Sequence, residues 1–153
     1  MLQQIDMTAS PGELCCILGA VGAGKTSLLN GILGELVVES GHTQLHGSVA
    51  LCEQQPWIQA GSVRSNVLFG LPFEEERYWQ AIDACALQAD LTQLPDGDQT
   101  LIGEKGVNVS GGQKARIALA RAVYRRADVV LLDDVLAAVP APADDSHRVF
   151  LFL

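Results

Sequence analysis

Apolar positions along this chain fall into short continuous runs and helical stripes. Leu14-Cys15-Cys16-Ile17-Leu18 is unbroken, preceded by Pro11-Gly12 and closed by Gly19. A run of that length between turn residues predicts a strand buried on both faces of a parallel sheet. Val129 to Leu132 reads the same way and is stopped by Asp133-Asp134. Ser48 to Cys52 is a third candidate strand. Between these runs the periodicity becomes helical. Lys25 to Leu33 predicts a helix directly after a glycine-rich segment. Ser62 to Leu68 predicts a short one, with Ser62 as N-cap. Glu74 to Leu87 predicts a third. Its three glutamates fill the first turn, where the helix dipole favours acids, and Trp79, Ile82 and Ala86 share a face. Ser110 caps a helix that runs to about Arg126. Beyond Pro140 the periodicity is lost. The chain closes on Val149 to Leu153, an apolar run with nothing obvious to pack against.

Composition narrows what such a chain does. Its 153 residues fit one domain, and 48% hydrophobic against 18% charged residues excludes intrinsic disorder. Small size with few charges predicts apolar surface that a partner or further chain covers. A net charge of −8 and a pI near 4.7 argue against nucleic acid as a partner. No run of 18 apolar residues spans a membrane, and residues 1–14 lack the regions of a signal peptide. A membrane-bound parent stays open. Cys15, Cys16, Cys52 and Cys85 lack the spacing of a zinc site and are expected to be reduced, buried core-fillers.

Residues 19–26 read GAVGAGKT and fit G-x-x-x-x-G-K-[ST] between a predicted strand and helix. Gly19, Gly22 and Gly24 let the backbone approach an anion closely. Successive amides and the helix N-terminus then cradle phosphate oxygens. Lys25 supplies a point charge to the β- and γ-phosphates. Thr26 offers a hydroxyl to Mg²⁺, which keeps most of its own waters and phosphate oxygens.

Asp133 and Asp134 end an apolar strand, and open α/β sheets bind ligands at the carboxyl ends of their strands. Asp133 is placed to hold Mg²⁺, and Asp134 to face an attacking water as general base. Either acid could instead cap a following helix. Val109-Ser110-Gly111-Gly112-Gln113 opens another helix, with a hydroxyl and bare glycine amides at its N-terminus. Six of the ten basic residues lie between Lys105 and Arg126, which alone would describe a solvated basic face.

GAVGAGKT, Gln54, VSGGQ and VVLLDD, in that order, resemble the nucleotide-binding domain of an ATP-binding cassette (ABC) transporter. EQQPWIQAGSVRSNVLFG (53–70) and residues 94–134 narrow the resemblance to the first such domain of subfamily C, the multidrug-resistance-associated transporters. It covers residues 2–139. It implies an α/β fold: a P-loop NTPase (RecA-like) parallel-sheet core, incomplete, with an inserted α-helical subdomain. On that pattern residues 1–61 and 127–139 form the core and about 62–126 the helical subdomain. Residues 140–153 match nothing in the family and are expected to be a disordered tail.

The resemblance also implies roles. Gly22, Ala23, Gly24, Lys25, Thr26 and Ser27 would wrap the triphosphate of ATP, and Gln54 would sense Mg²⁺ and the γ-phosphate. Ser110, Gly112 and Gln113 would form the signature motif, which binds ATP held by a second nucleotide-binding domain in a head-to-tail sandwich. Leu101 to Gly106 would sit where exporters couple to transmembrane domains. The implied function is ATP binding and hydrolysis on the cytoplasmic face of a membrane, driving export of organic anions or amphipathic compounds. The alternative is a non-hydrolysing nucleotide-binding regulator or an inert truncated product. A chromosome or repair ATPase would need a long coiled coil between Lys25 and Ser110, and there is no room for one. Several positions depart from the family. No aromatic residue precedes the first strand to stack adenine. Asp134 stands where a catalytic glutamate is usual, as is common in first domains of subfamily C that hydrolyse poorly. Pro140 replaces an aspartate used across the dimer. His147 comes too early for the switch histidine, and His42 and His46 read as turn or solvated residues. The chain is therefore expected to lack flanking strands at both ends.

Overall fold

The computed structural model describes residues 2–104 and 106–135, and the backbone of 149–152. Four strands form one parallel sheet: β1 (Leu14–Cys16), β2 (Val49–Cys52), β5 (Val129–Leu132) and β6 (Val149–Phe152). Their spatial order is β1-β6-β5-β2. α1 (Lys25–Ile32) follows β1. Between β2 and β5 come β3 (Gly61–Ser62), α2 (Val63–Leu68), α3 (Glu75–Ala84), α4 (Gln88–Leu91), a 3₁₀ turn (Gly97–Gln99), β4 (Leu101–Ile102) and α5 (Gly111–Arg125). β3 and β4 pair antiparallel as a small separate ribbon.

Alternation along the strands divides the core. Val129 and Leu131 face one way and pack with Leu29 of α1, joined by Cys15, Ile17 and Ile32. Val130 and Leu132 face the other way, with Ala50 and Cys52 of β2, onto α5 and through it onto α2 and α3. β5 is buried at all four positions, as a continuous apolar run in a parallel sheet should be. α5 is buried nearly all round, at Ile117, Ala118, Leu119, Ala120, Ala122 and Tyr124, because sheet and helices enclose it.

Several expectations from the sequence need correction. Residues 149–152 are not a loose tail. They form β6, inserted between β1 and β5, with Leu14 opposite Phe150 and Val129 opposite Val149. A gap one strand wide between two apolar strands leaves two rows of unpaired amides, and an apolar extended segment satisfies both. The remainder of 140–153, with His147, lies outside the described residues. β1 ends at Cys16 and is not buried on both faces: Leu14 is 49% exposed and Leu18 85%. It is an edge strand, covered by α1 on one side only, so Cys15 is half-buried and Cys16 exposed while Cys52 and Cys85 are buried. The buried stripe of α3 is Tyr78, Ala81 and Ile82, continued by Cys85, so Trp79 turns outward. Ala86 takes φ 51°, which ends the helix three residues before the predicted Leu87 and turns Leu87 into the core.

Candidate functional site

Parallel strands bring their carboxyl ends to one edge of the sheet, so the loops after β1, β2 and β5 meet there. The loop after β1 carries the glycines. Gly22 and Gly24 hold φ 82° and 95°, conformations that an L side chain resists. Gly24 is the N-cap of α1. Leu2 lies against it: a Cβ at position 24 would come within 2.9 Å of Leu2 Cδ2. The Lys25 ammonium folds back over the loop and donates to the carbonyls of Gly19 (2.9 Å) and Ala20 (3.3 Å). A lysine so held stands beside the amides that would face an anion.

Thr26 and Asp133 are 107 residues apart in the chain, yet the Thr26 hydroxyl donates to Asp133 Oδ2 at 2.9 Å. Asp133 is 7% exposed, and its backbone amide extends the β2–β5 ladder by donating to Cys52 O. A hydroxyl and a carboxylate give a hard-oxygen pair. That pair fits Mg²⁺, which is usually bound by one or two protein oxygens plus waters and substrate phosphates. No group of three or more His, Cys, Asp or Glu able to hold a metal occurs among the described residues.

Gln54 and Asp134 form the second pair. β2 and β5 run in register with an offset of eighty residues, so Val49 faces Val129 and Cys52 faces Leu132. The same offset puts Gln54 beside Asp134, and Gln54 Nε2 donates to Asp134 Oδ2 at 2.7 Å. Asp134 sits at φ 50°, a left-handed conformation that aspartate tolerates better than most residues.

The expected glutamine, lysine, threonine and two aspartates are thus brought together. Ser27 lies exposed on α1 without a part in either pair. Ser110, Gly112 and Gln113 stand apart: among the described residues no hydrogen bond joins them to the loop at 19–27. They form a capping box of their own at α5, in which Ser110 Oγ accepts from Gln113 N (3.2 Å) and Gln113 Oε1 accepts from Ser110 N (2.8 Å).

Sequence reasoning missed the supports of this site. Asp128 Oδ2 accepts from both Ser48 N and Ser48 Oγ at 2.7 Å, which fixes the start of the β2–β5 ladder. Arg121 donates to Asn66 O (2.8 Å), Asn66 Oδ1 (3.1 Å) and Trp57 O (3.2 Å), tying α5 to the loop that follows Gln54. Burial lowers the pKa of Arg121. Arg116 reaches Asp90, and Arg64 reaches Asp98. The basic stretch is therefore not simply a solvated face. No periodicity marks these pairings, because each joins segments far apart in the chain.

Comparison with known proteins follows the same residues. The family model described as ABC transporter matches residues 2–137. ATP-binding cassette sub-family C member 4 of Mus musculus is 56% identical over 92% of this chain and 11% of its own length. Multidrug resistance protein mrp-7 of Caenorhabditis elegans is 55% identical, over 92% and 9%. Metal resistance protein YCF1 of Saccharomyces cerevisiae is 56% identical, over 90% and 9%. The chain thus spans about a tenth of the length of the relatives it matches.

Proposed function

The chain belongs to the ABC transporter family, and on that premise we propose that it binds Mg²⁺·ATP and serves as the first nucleotide-binding domain of a subfamily C exporter. The observation that carries this reading is the 2.9 Å bond from Thr26 to Asp133, which joins the glycine loop to the acidic strand end. Bound Mg²⁺ would neutralise phosphate charge between these two side chains.

The chain's own residues do the rest. Lys25 exchanges the Gly19 and Ala20 carbonyls for phosphate oxygens, a stronger charge-assisted contact. The amides of residues 22–27 hold the phosphates, and Asp133 keeps Thr26 oriented. Asp134 is the group able to take a proton from water, and Gln54 holds it through one oxygen. That bond, with a side chain one methylene shorter than glutamate, favours slow turnover. The nucleotide is held, and hydrolysis waits on a partner.

The partner is a second nucleotide-binding domain, approached by Ser110, Gly112 and Gln113, since these do not reach this chain's own phosphate loop. A transmembrane domain is the second partner, on the cytoplasmic face of the membrane, and the exported cargo is organic anions or amphipathic compounds. Exposed Trp57 and Phe69, edge-to-face at 6.0 Å under the Arg121 guanidinium, and Leu101 at 64% exposure give it apolar purchase. No helix among the described residues is long and apolar enough to cross a membrane, so the span would belong to other segments.

The test is a titration of a fluorescent ATP analogue with and without Mg²⁺, repeated with Lys25→Ala. Binding is expected to need Mg²⁺ and to weaken at least tenfold in the variant. Equal binding by both proteins would overturn the reading.

A further inference from the structure

Asp90 and Arg116 make the one two-pronged guanidinium–carboxylate pair among the described residues. Arg116 Nε meets Asp90 Oδ2 at 2.6 Å and Nη2 meets Oδ1 at 2.9 Å. Asp90 is 7% exposed and belongs to α4, which the buried Leu87 and Leu91 pin into the core. The pair is short, parallel and half shielded, the geometry in which an ion pair restrains orientation.

Arg116 connects this anchor to the start of α5. Helical side chains lean toward the N-terminus, over the residue four positions earlier. For Arg116 that residue is Gly112. The prong that Asp90 leaves free, Nη1, faces it: a Cβ at position 112 would lie 3.5 Å from Nη1. The guanidinium thus lies within ordinary contact distance of position 112, at a turn also restrained by the capping box of Ser110 and Gln113 and by the Lys114 amide on Ser110 O.

We propose that Asp90 is a positioning residue for the Ser110–Gln113 turn. By fixing the Arg116 guanidinium against Gly112 it holds the first turn of α5 in the shape that presents the Ser110 hydroxyl and the glycine amides outward. Its functional consequence rests on the reading of that turn as the contact to ATP on a second domain. Its structural content does not.

Backbone amide exchange, followed residue by residue in the full chain without nucleotide, tests the positioning. In Asp90→Asn the Gln113 and Lys114 amides, both bonded to Ser110, should exchange about tenfold faster or more through local opening. The Leu28 and Asp133 amides should stay within about twofold of the parent. Asp90→Glu, which restores the charge, should recover most of the protection. Should Asp90→Asn fail to fold, Arg116→Lys keeps the charge without the fork and should show the same local loosening. Unchanged exchange at Gln113 and Lys114, or equal acceleration at Leu28 and Asp133, would overturn the proposal. MgATP-dependent pairing of two chains should fall about tenfold in Asp90→Asn while single-chain MgATP affinity holds. If Lys25→Ala binds nucleotide as well as the parent, the functional reading fails, and the nucleotide-free exchange result still decides the role of Asp90.

Discussion

Asp133 and Asp134 are neighbours, yet Asp133 is 7% exposed and accepts from Thr26, whereas Asp134 is turned outward at φ 50° and accepts from Gln54. The left-handed bend between strand and loop aims adjacent carboxylates at different partners. Asparagine tolerates that conformation as well as aspartate does, so Asp134→Asn is expected to fold normally. Phosphate release by the isolated chain should change little, because Gln54 already occupies the carboxylate. A working general base contributes about 10²–10⁴-fold, so a loss of about 100-fold in a phosphate-release assay would make Asp134 a working base in this chain. The four thiols also divide by environment. Burial pushes Cys52 up to about 11 and Cys85 up to about 12, from 9.0. Unfolded, both thiols ionise near pH 9. Folded, both keep their protons, so above pH 9 the native state binds more protons and stability falls as pH rises. The thermal midpoint should hold below pH 9 and drop progressively between pH 9 and 12. At neutral pH a thiol reagent should label Cys16 first, and Cys52 and Cys85 only after unfolding.

At the scale of elements, the β2–β5 ladder is the device that assembles the site. An offset of eighty residues ties Ser48 to Asp128 at one end and Gln54 to Asp134 at the other. Slipping by one residue would separate both pairs and send every side chain of the strand to the wrong face. Gly47 carries part of this. It holds φ 96°, and a Cβ there would lie 2.5 Å from Asp128 Oδ2. Gly47→Ala should therefore strain the backbone and displace the Asp128 clamp, costing about 1–3 kcal/mol, measured by urea unfolding. A variant as stable as the parent would show that the clamp does not set the register. The motif segments were legible in the sequence because each is local: GAVGAGKT and SGGQ specify their loops and caps by residue type alone. The ladder was not legible, since Ser48 and Asp128 carry no signal of belonging together until two strands align. The stripe of α3 keeps Ile82 but takes Tyr78 in place of Trp79, for a similar reason. Trp79 is the larger side chain, but the core offers its space to Tyr78, whose ring packs edge-on against Tyr124 at 6.3 Å.

For the whole molecule, the sheet order decides whether the phosphate loop has a foundation. β1 precedes that loop, and its sheet partner is β6, which in turn joins it to β5 and the acids. Apolar character alone could not reveal this. Val149 to Leu153 reads as a run without a neighbour, because one of the strands flanking β6, β1, lies more than a hundred residues earlier and β5 gives no sign in its own residues that a side is left open. Being central, β6 directs its backbone groups to strands on both sides, so proline within it removes a ladder donor that nothing else replaces. Leu151→Pro tests this with no assumption about side chains. A domain of this size has about 5–15 kcal/mol of stability in all, and the variant would lose both the ladder bond and the register that joins β1 to β5. The β5–β2 half, clamped by Asp128 and packed on α5, should keep its protection in amide exchange. The β1 amides and the loop at 19–26 should lose theirs, and the fluorescent ATP analogue should no longer bind. Unimpaired nucleotide binding by Leu151→Pro would mean that β1 is held by α1 and its packing on β5 alone, and that β6 is not the link between the phosphate loop and the acidic strand.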